Sequence, residues 1–161
     1  MATVNLSDYQ PLQINDAGSF RIGIVVSDWN AHITHNLRDG ALQILQHEGV
    51  KAENIDVFTV PGAFELSYAT MQLCKKGAFD AVIAIGCVIR GETPHFDYVC
   101  SAVAHGITEC NLQTDVPAIF CLLTDDNEEQ SIARSGGKHG NKGVEAAVTA
   151  LQMIAFRRSW L

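Results

Sequence analysis

Four short runs of apolar, largely β-branched residues are spaced through this chain, and a helical pattern follows each of them. The runs are residues 21–26 (RIGIVV), 55–60 (IDVFTV), 81–87 (AVIAIGC) and 118–123 (AIFCLL). Each is short enough, and rich enough in Val and Ile, to read as a buried strand. Between them apolar residues recur at helical spacing: Ile33, Leu37, Ala41, Ile44 and Leu45 over 31–48, then Leu66, Ala69, Met71 and Leu73 over 63–75. Gly49 and Gly77 read as the stops of these two helices. A long helix over 94–113 follows, with Val99, Val103, Ile107 and Leu112 facing in. Thr124-Asp125-Asp126-Asn127 reads as the start of a short helix over 128–134, and a last helix spans 144–159. Buried strands alternating with helices satisfy both faces only as a parallel sheet covered on each side. The prediction is an α/β chain, a three-layer α/β/α sandwich on a four-stranded parallel sheet. Such a sheet keeps exposed edges. Residues 1–19 have no clean period and read as an arm rather than a core element, able to cover an edge of a neighbouring subunit by strand addition.

Length and charge narrow the partners. At 161 residues the chain reads as a single domain over 1–161, with 1–19 as its arm. A net charge of −7 with no basic face argues against nucleic acid as a main partner. No leader, membrane-spanning run or lipidation motif is recognisable, so no membrane partner is expected. Cys74, Cys87, Cys100, Cys110 and Cys121 show neither CxxC nor His-paired metal spacing. They read as free thiols of a reducing, cytoplasmic compartment.

The chemistry-bearing stretch is 84–99, AIGCVIRGETPHFDYV. A buried strand delivers the chain through Ile-Arg-Gly-Glu to Thr93-Pro94, which reads as an N-cap followed by a first-turn proline. A helix N-terminus favours an anion such as phosphate, and His95 lies in its first turn. The loops after the strands converge at one sheet edge. They bring Trp29 and Asn30, then Ala63, Phe64 and Glu65, then Cys87, Val88, Ile89, Gly91, Glu92, Thr93 and His95, then residues after Phe120. Aromatics from two loops at one rim fit a flat heterocycle, although Trp29 alone also reads as a core cap and Phe64 as the apolar face of a helix. Glu65 reads equally as a first-turn carboxylate, and Arg134 and Lys142 as anion clamps or solvated cations. The glycine-rich 135–143 segment (SGGKHGNKG) lacks P-loop spacing and follows a helix rather than a strand. His32, His35, His47, His105 and His139 have no partners at metal spacing, and no Ser-His-Asp pattern is present.

The strings IVVSDWN, VPGAFELSYA, AIGCVIRGETPHFDYV, CLLTDDNEEQ and GNKGVEAA occur in this order. Together they closely resemble the 6,7-dimethyl-8-ribityllumazine synthase family of riboflavin biosynthesis, over roughly residues 20–158. The resemblance implies a flavodoxin-like fold and homopentamers with active sites between adjacent subunits. In some members twelve pentamers form a hollow icosahedral shell, and the short, insertion-free 135–143 connection looks like that of shell-forming members. Riboflavin synthase is the candidate macromolecular partner it implies. The family joins 5-amino-6-(D-ribitylamino)uracil to 3,4-dihydroxy-2-butanone 4-phosphate, releasing phosphate and water, with no metal or redox cofactor. By resemblance Trp29, where many members have Phe, stacks on the pyrimidine. Asn30, Ala63, Phe64, Glu65, Cys87, Val88 and Ile89 hold the ring and ribityl chain. Gly91, Glu92 and Thr93 form the phosphate turn, and His95 moves the proton. Phe120, Arg134 and Lys142 match residues given across the subunit interface, with Arg134 on phosphate. Asp28 stands where the family often has Arg. Two other classes compete: a flavin-binding carrier on the same fold, and a shell whose catalysis has decayed. A carrier needs neither His95 nor a phosphate clamp, and a decayed shell would not keep every matched position occupied.

Overall fold

The four apolar runs form one all-parallel sheet in the computed structural model, which describes residues 8–12 and 14–159. The strands are β1 (Ile22–Ser27), β2 (Ile55–Val60), β3 (Ala81–Ile89) and β4 (Ala118–Asp125), in the order β2-β1-β3-β4. Side chains alternate between the faces of a strand. Ile22, Ile24, Val26, Ile83 and Ile85 therefore pack one way, against α1 (Ala31–His47) and α5 (Lys142–Arg158) through Leu37, Leu45, Leu151 and Ile154. Val25, Val82 and Ala84 pack the other way, against α2 (Leu66–Lys76) and α3 (His95–Gln113) through Leu66, Val103, Ile107 and Cys110. The result is the three-layer α/β/α sandwich with a flavodoxin-like strand order. The order reverses between β1 and β3, and ligands of such sheets bind outside the strand carboxyl ends at that point. No described helix is long and apolar enough to cross a membrane.

Several expected boundaries move, each for a local reason. β1 begins at Ile22, because Arg21 spends its N–H on the Asp80 carboxylate (2.8 Å). β2 is an edge strand, and Val57 and Phe58 are exposed rather than buried. β3 and β4 run on to Ile89 and Asp125 because they pair with each other over Val88↔Thr124 and Ile89↔Asp125. Cys87, Val88 and Ile89 are thus strand residues, not loop. The second helix starts at Leu66 rather than at 63, since residues 61–65 are held as turns beside β1. Pro94 itself occupies the N-cap of α3, and Thr93 Oγ1 makes only a long 3.5 Å contact to the His95 N–H. Leu112 is 75% exposed, and its expected inward place is taken by Phe96 and Cys110. The glycine-rich segment is a small hairpin, β5 (Ser135–Gly137) with β6 (Gly140–Asn141), after α4 (Glu128–Arg134). Asn141 then caps α5 by accepting the Gly143 N–H at 2.8 Å, so that helix begins two residues earlier than its apolar pattern.

The expected arm is partly a core element. The first seven residues and Gln13 lie outside the described residues. Ala17 and Phe20 are buried, and Leu12 and Ile14 pack against the α1/α5 side of the core. The Glu48 carboxylate, whose side chain is 5% exposed, accepts the Tyr9 hydroxyl at 2.7 Å and the Leu12 N–H at 3.1 Å. Partial burial, that hydrogen bond and the Glu48 charge push the Tyr9 phenol up to about 12. A folded-state value above the free one means the contact is fully present below the free phenol value near 10 and fades as pH rises through about 12. Glu48→Ala is expected to return Tyr9 toward about 10 in an absorbance titration and to speed hydrogen exchange at the Leu12 amide.

Candidate active site

The rim above β1, β2 and β3 is assembled by backbone first. Asp28 and Trp29 donate their N–H groups to Val60 O (2.9 Å) and Pro61 O (3.0 Å), which ties the loop after β1 to the loop after β2. Asn30 then takes the left-handed conformation (φ 60°) as it enters α1, and its Nδ2 donates to Cys87 O at 3.1 Å. That bond ties the first loop to β3 across the switch point. Glu65 closes the second loop by accepting the Gly62 N–H on Oε2 at 3.1 Å, so its carboxylate holds the turn from the N-cap position of α2. Ala63 is buried beneath, while Trp29 and Phe64 stand 67% and 58% exposed. Both aromatic side chains are thus open to solvent on adjacent, hydrogen-bonded loops.

The Trp29 ring rests directly on Gly62: a Cβ there would lie 2.6 Å from the indole. Gly62→Ala is accordingly expected to displace Trp29 and raise KM for a stacked ring substrate by about five- to a hundredfold, since stacking on one aromatic is worth ~1–3 kcal/mol. Steady-state kinetics with each substrate varied in turn reads this directly.

Beyond β3 the chain turns through Arg90, Gly91, Glu92 and Thr93, all at the surface, before His95 opens α3. Arg90 fixes this turn. Its N–H donates to Asp125 O (2.9 Å), its Nε to Asp126 Oδ1 (2.9 Å), and its two Nη groups to Asp97 (3.2 and 3.4 Å). The guanidinium also lies 4.1 Å over the Phe96 ring. Asp97 is a near neighbour at the start of α3, but Asp126 is recognisable as a partner only once β4 lies beside β3. His95 is exposed, and its backbone N–H faces Thr93 Oγ1. Cys87 is not a nucleophile here. Burial pushes its thiol up to about 11, the Ser131 hydroxyl at 3.4 Å opposes the rise, and the Asp125 charge adds to it.

Phe120, Arg134 and Lys142 are placed elsewhere. They line a groove of about 1370 Å³ along β4, and none of the rim residues named above lines it. Phe120 is half exposed on β4. Lys142 Nζ is bound at 2.7 and 2.9 Å by both oxygens of Glu145. Arg134 Nη1 donates to Gln130 O (2.9 Å), and its Nε lies 3.9 Å from Asp125 Oδ1. Hydrogen bonds within one chain tie the loop after β1 to the loop after β2 and to β3, whereas Arg134 and Lys142, with Arg157, line the groove along β4, which Asp125 joins to the Arg90 turn. Asp125, Ser131 and Glu145, which contact these cations or their neighbours, gave no signal in the sequence beyond a helix-start pattern. The His32–Glu128 pair (2.6 Å) likewise joins residues 96 positions apart. Among the described residues no group of three or more His, Cys, Asp or Glu is placed to hold a metal ion.

Comparison with known proteins matches the sequence to one family. The profile of 6,7-dimethyl-8-ribityllumazine synthase matches residues 19–158. The 6,7-dimethyl-8-ribityllumazine synthase of Parabacteroides distasonis is 54% identical over 158 residues, covering 97% of this chain and 99% of that protein. That of Porphyromonas gingivalis is 52% identical over 160 residues, covering 98% and 99%. That of Flavobacterium johnsoniae is 53% identical over 154 residues, covering 96% of this chain and 81% of that protein. The chain belongs to the 6,7-dimethyl-8-ribityllumazine synthase family.

Proposed function

We propose that this protein condenses 5-amino-6-(D-ribitylamino)uracil with 3,4-dihydroxy-2-butanone 4-phosphate to 6,7-dimethyl-8-ribityllumazine, releasing phosphate and water. The observation that carries the reading is the pair of exposed aromatics, Trp29 and Phe64, on loops held beside the β3 end by the Asn30–Cys87 bond. Trp29 stacks on the pyrimidine, and Phe64 belongs with the residues that hold the ring and ribityl chain. Asn30, Ala63, Glu65, Cys87, Val88 and Ile89 shape the bed of the ring and ribityl chain. Gly91, Glu92 and Thr93 receive the four-carbon substrate at the start of α3, where unpaired N–H groups favour its phosphate. The pyrimidine's amine attacks the ketone and water leaves as the imine forms, phosphate then leaves by elimination, and the ring closes with loss of a second water. His95, beside that turn, gives and takes the protons of these steps. Holding two reactants together supplies much of the remaining rate.

Phe120, Arg134 and Lys142 complete the site of an adjacent subunit, with Arg134 on the phosphate. Their separation from the rim within one chain supports this reading, because a site needing both sets is incomplete in a monomer. The exposed β2 edge and the apolar surface of Phe156 and Leu112 also suit a chain that assembles. The assembly is a homopentamer, and the short 135–143 hairpin suits closure of pentamers into a shell, within which riboflavin synthase would be housed. The protein works in the cytoplasm.

Mixing the purified protein with both substrates and following lumazine absorbance tests the activity. Product formation is the expected result, and binding of flavin without turnover would replace the reading by a carrier. Light scattering is expected to give five or sixty times the 17.5 kDa chain mass.

A further inference from the structure

We propose that Asp125, anchored by Ser131, is a positioning residue that aims the Arg134 guanidinium at the phosphate of the four-carbon substrate. The inference rests on the phosphate role proposed above for Arg134. Asp125 ends β4, and its side chain is only 8% exposed. A carboxylate so nearly buried needs partners, since its charge is costly to remove from water unaided. It has two. Ser131 Oγ donates to Asp125 Oδ2 at 2.7 Å, and Arg134 Nε lies 3.9 Å from Oδ1. Ser131 and Arg134 stand three residues apart on α4, so both project from the face of that helix that meets the end of β4.

The residue is fixed at both ends. Its carbonyl accepts the Arg90 N–H (2.9 Å), and the Ser131 that holds its carboxylate is fully buried against Cys87 Sγ at 3.4 Å. Asp125 is therefore a rigid reference point, whereas Arg134 is a long side chain with several rotamers to lose on binding. Two contacts orient it: Gln130 O takes Nη1, and Asp125 faces Nε. Among the described residues neither contact uses Nη2, and Asp125, Gln130 and Arg134 all line the groove. The 3.9 Å separation distinguishes a guide from a lock. A bidentate carboxylate would occupy the donors that a phosphate needs. Lys142, the other groove cation considered for substrate, illustrates that alternative, with both Glu145 oxygens at 2.7 and 2.9 Å. Arg134 is the one left with donors to give, and Asp125 is what holds it in register.

The test is a double-mutant cycle read by steady-state kinetics with each substrate varied. Asp125→Ala is expected to raise KM for the butanone phosphate by about three- to tenfold, with kcat and KM for the pyrimidine held within about twofold. Asp125→Asn keeps the shape and a partner for Ser131 but not the charge that acts across 3.9 Å, and is expected to recover only part of that loss. On an Arg134→Ala background, Asp125→Ala should add nothing further. Should Asp125→Ala fail to fold, Ser131→Ala carries the test, with a smaller shift in the same direction. If Arg134→Ala raises that KM but Asp125→Ala and Ser131→Ala leave it unchanged, the positioning role is wrong and the phosphate reading stands. If Arg134→Ala itself leaves it unchanged, the phosphate reading falls and this inference with it. Equal loss on both backgrounds, or a joint change in both KM values and kcat, would show a merely structural role and overturn the proposal.

Discussion

His95→Ala is expected to lower kcat about a hundredfold while leaving KM for both substrates within a few-fold, the lower end of the ~10²–10⁴-fold range for a lost general acid–base. The imidazole stands exposed at the first residue of α3, directly after a turn whose shape Arg90 fixes through Asp97, Asp126 and the Phe96 ring. In the proposed reaction it stands beside the phosphate turn and moves protons rather than holding either reactant, so its loss should fall on kcat rather than on binding. The lower end applies because attack of an amine on a ketone proceeds slowly in water without help, and the rim and phosphate turn remain to hold the reactants. His95→Gln should behave like the alanine variant, since an amide fills the space but moves no proton. Measuring kcat across about pH 6–8 decides the point. Parent-like kcat over that window would remove His95 from the proton path while leaving the phosphate turn untouched.

Much of the scaffold was legible because it rests on local signals. The strands are Val/Ile-rich runs, and Gly77 ends α2 in the left-handed conformation (φ 63°) that its residue type permits. Asn127 caps α4 through the Gln130 N–H (3.0 Å) just where the helix-start pattern placed it. What the sequence reading lost depends on neighbours distant in the chain. The extension of β3 and β4 to Ile89 and Asp125 exists only because each completes the other's ladder. Residues 63–65 were expected to be helical, but Asp28 and Trp29 claim the carbonyls of Val60 and Pro61 and hold residues 61–65 as turns. Leu112 stands five residues beyond Ile107, about 140° round the helix from it, whereas Cys110, three residues on, stays on the buried face. The candidate site divides the same way. Trp29, Asn30 and the 91–95 turn follow strand ends and were readable as a convergent rim. Asp125 and Ser131 were not, because nothing in one dimension says that a strand end and a helix face meet across 2.7 Å.

Arg134→Ala is expected to lower kcat/KM for the butanone phosphate by about ten- to hundredfold, since a charge-assisted contact of this kind is worth ~1.5–3 kcal/mol. The loss should fall on that substrate and spare KM for the pyrimidine, which the rim holds from another part of the sheet. Arg134→Lys separates charge from shape. It keeps a cation in the groove but loses the planar fork and the Nε that faces Asp125, so it should recover only part of the loss. Inorganic phosphate gives an independent readout: it should compete with the four-carbon substrate in the parent and compete far less well in Arg134→Ala. Light scattering on the same samples must show unchanged assembly, because a subunit that no longer meets its neighbour would lose activity for a different reason. Removing the guanidinium also strips Asp125 of its cation, leaving a nearly buried carboxylate with Ser131 alone among its side-chain partners, so a modest fall in Tm should accompany the kinetic change. A fall in Tm with unaltered kinetics and phosphate inhibition would make Arg134 a counter-ion of Asp125 and nothing more.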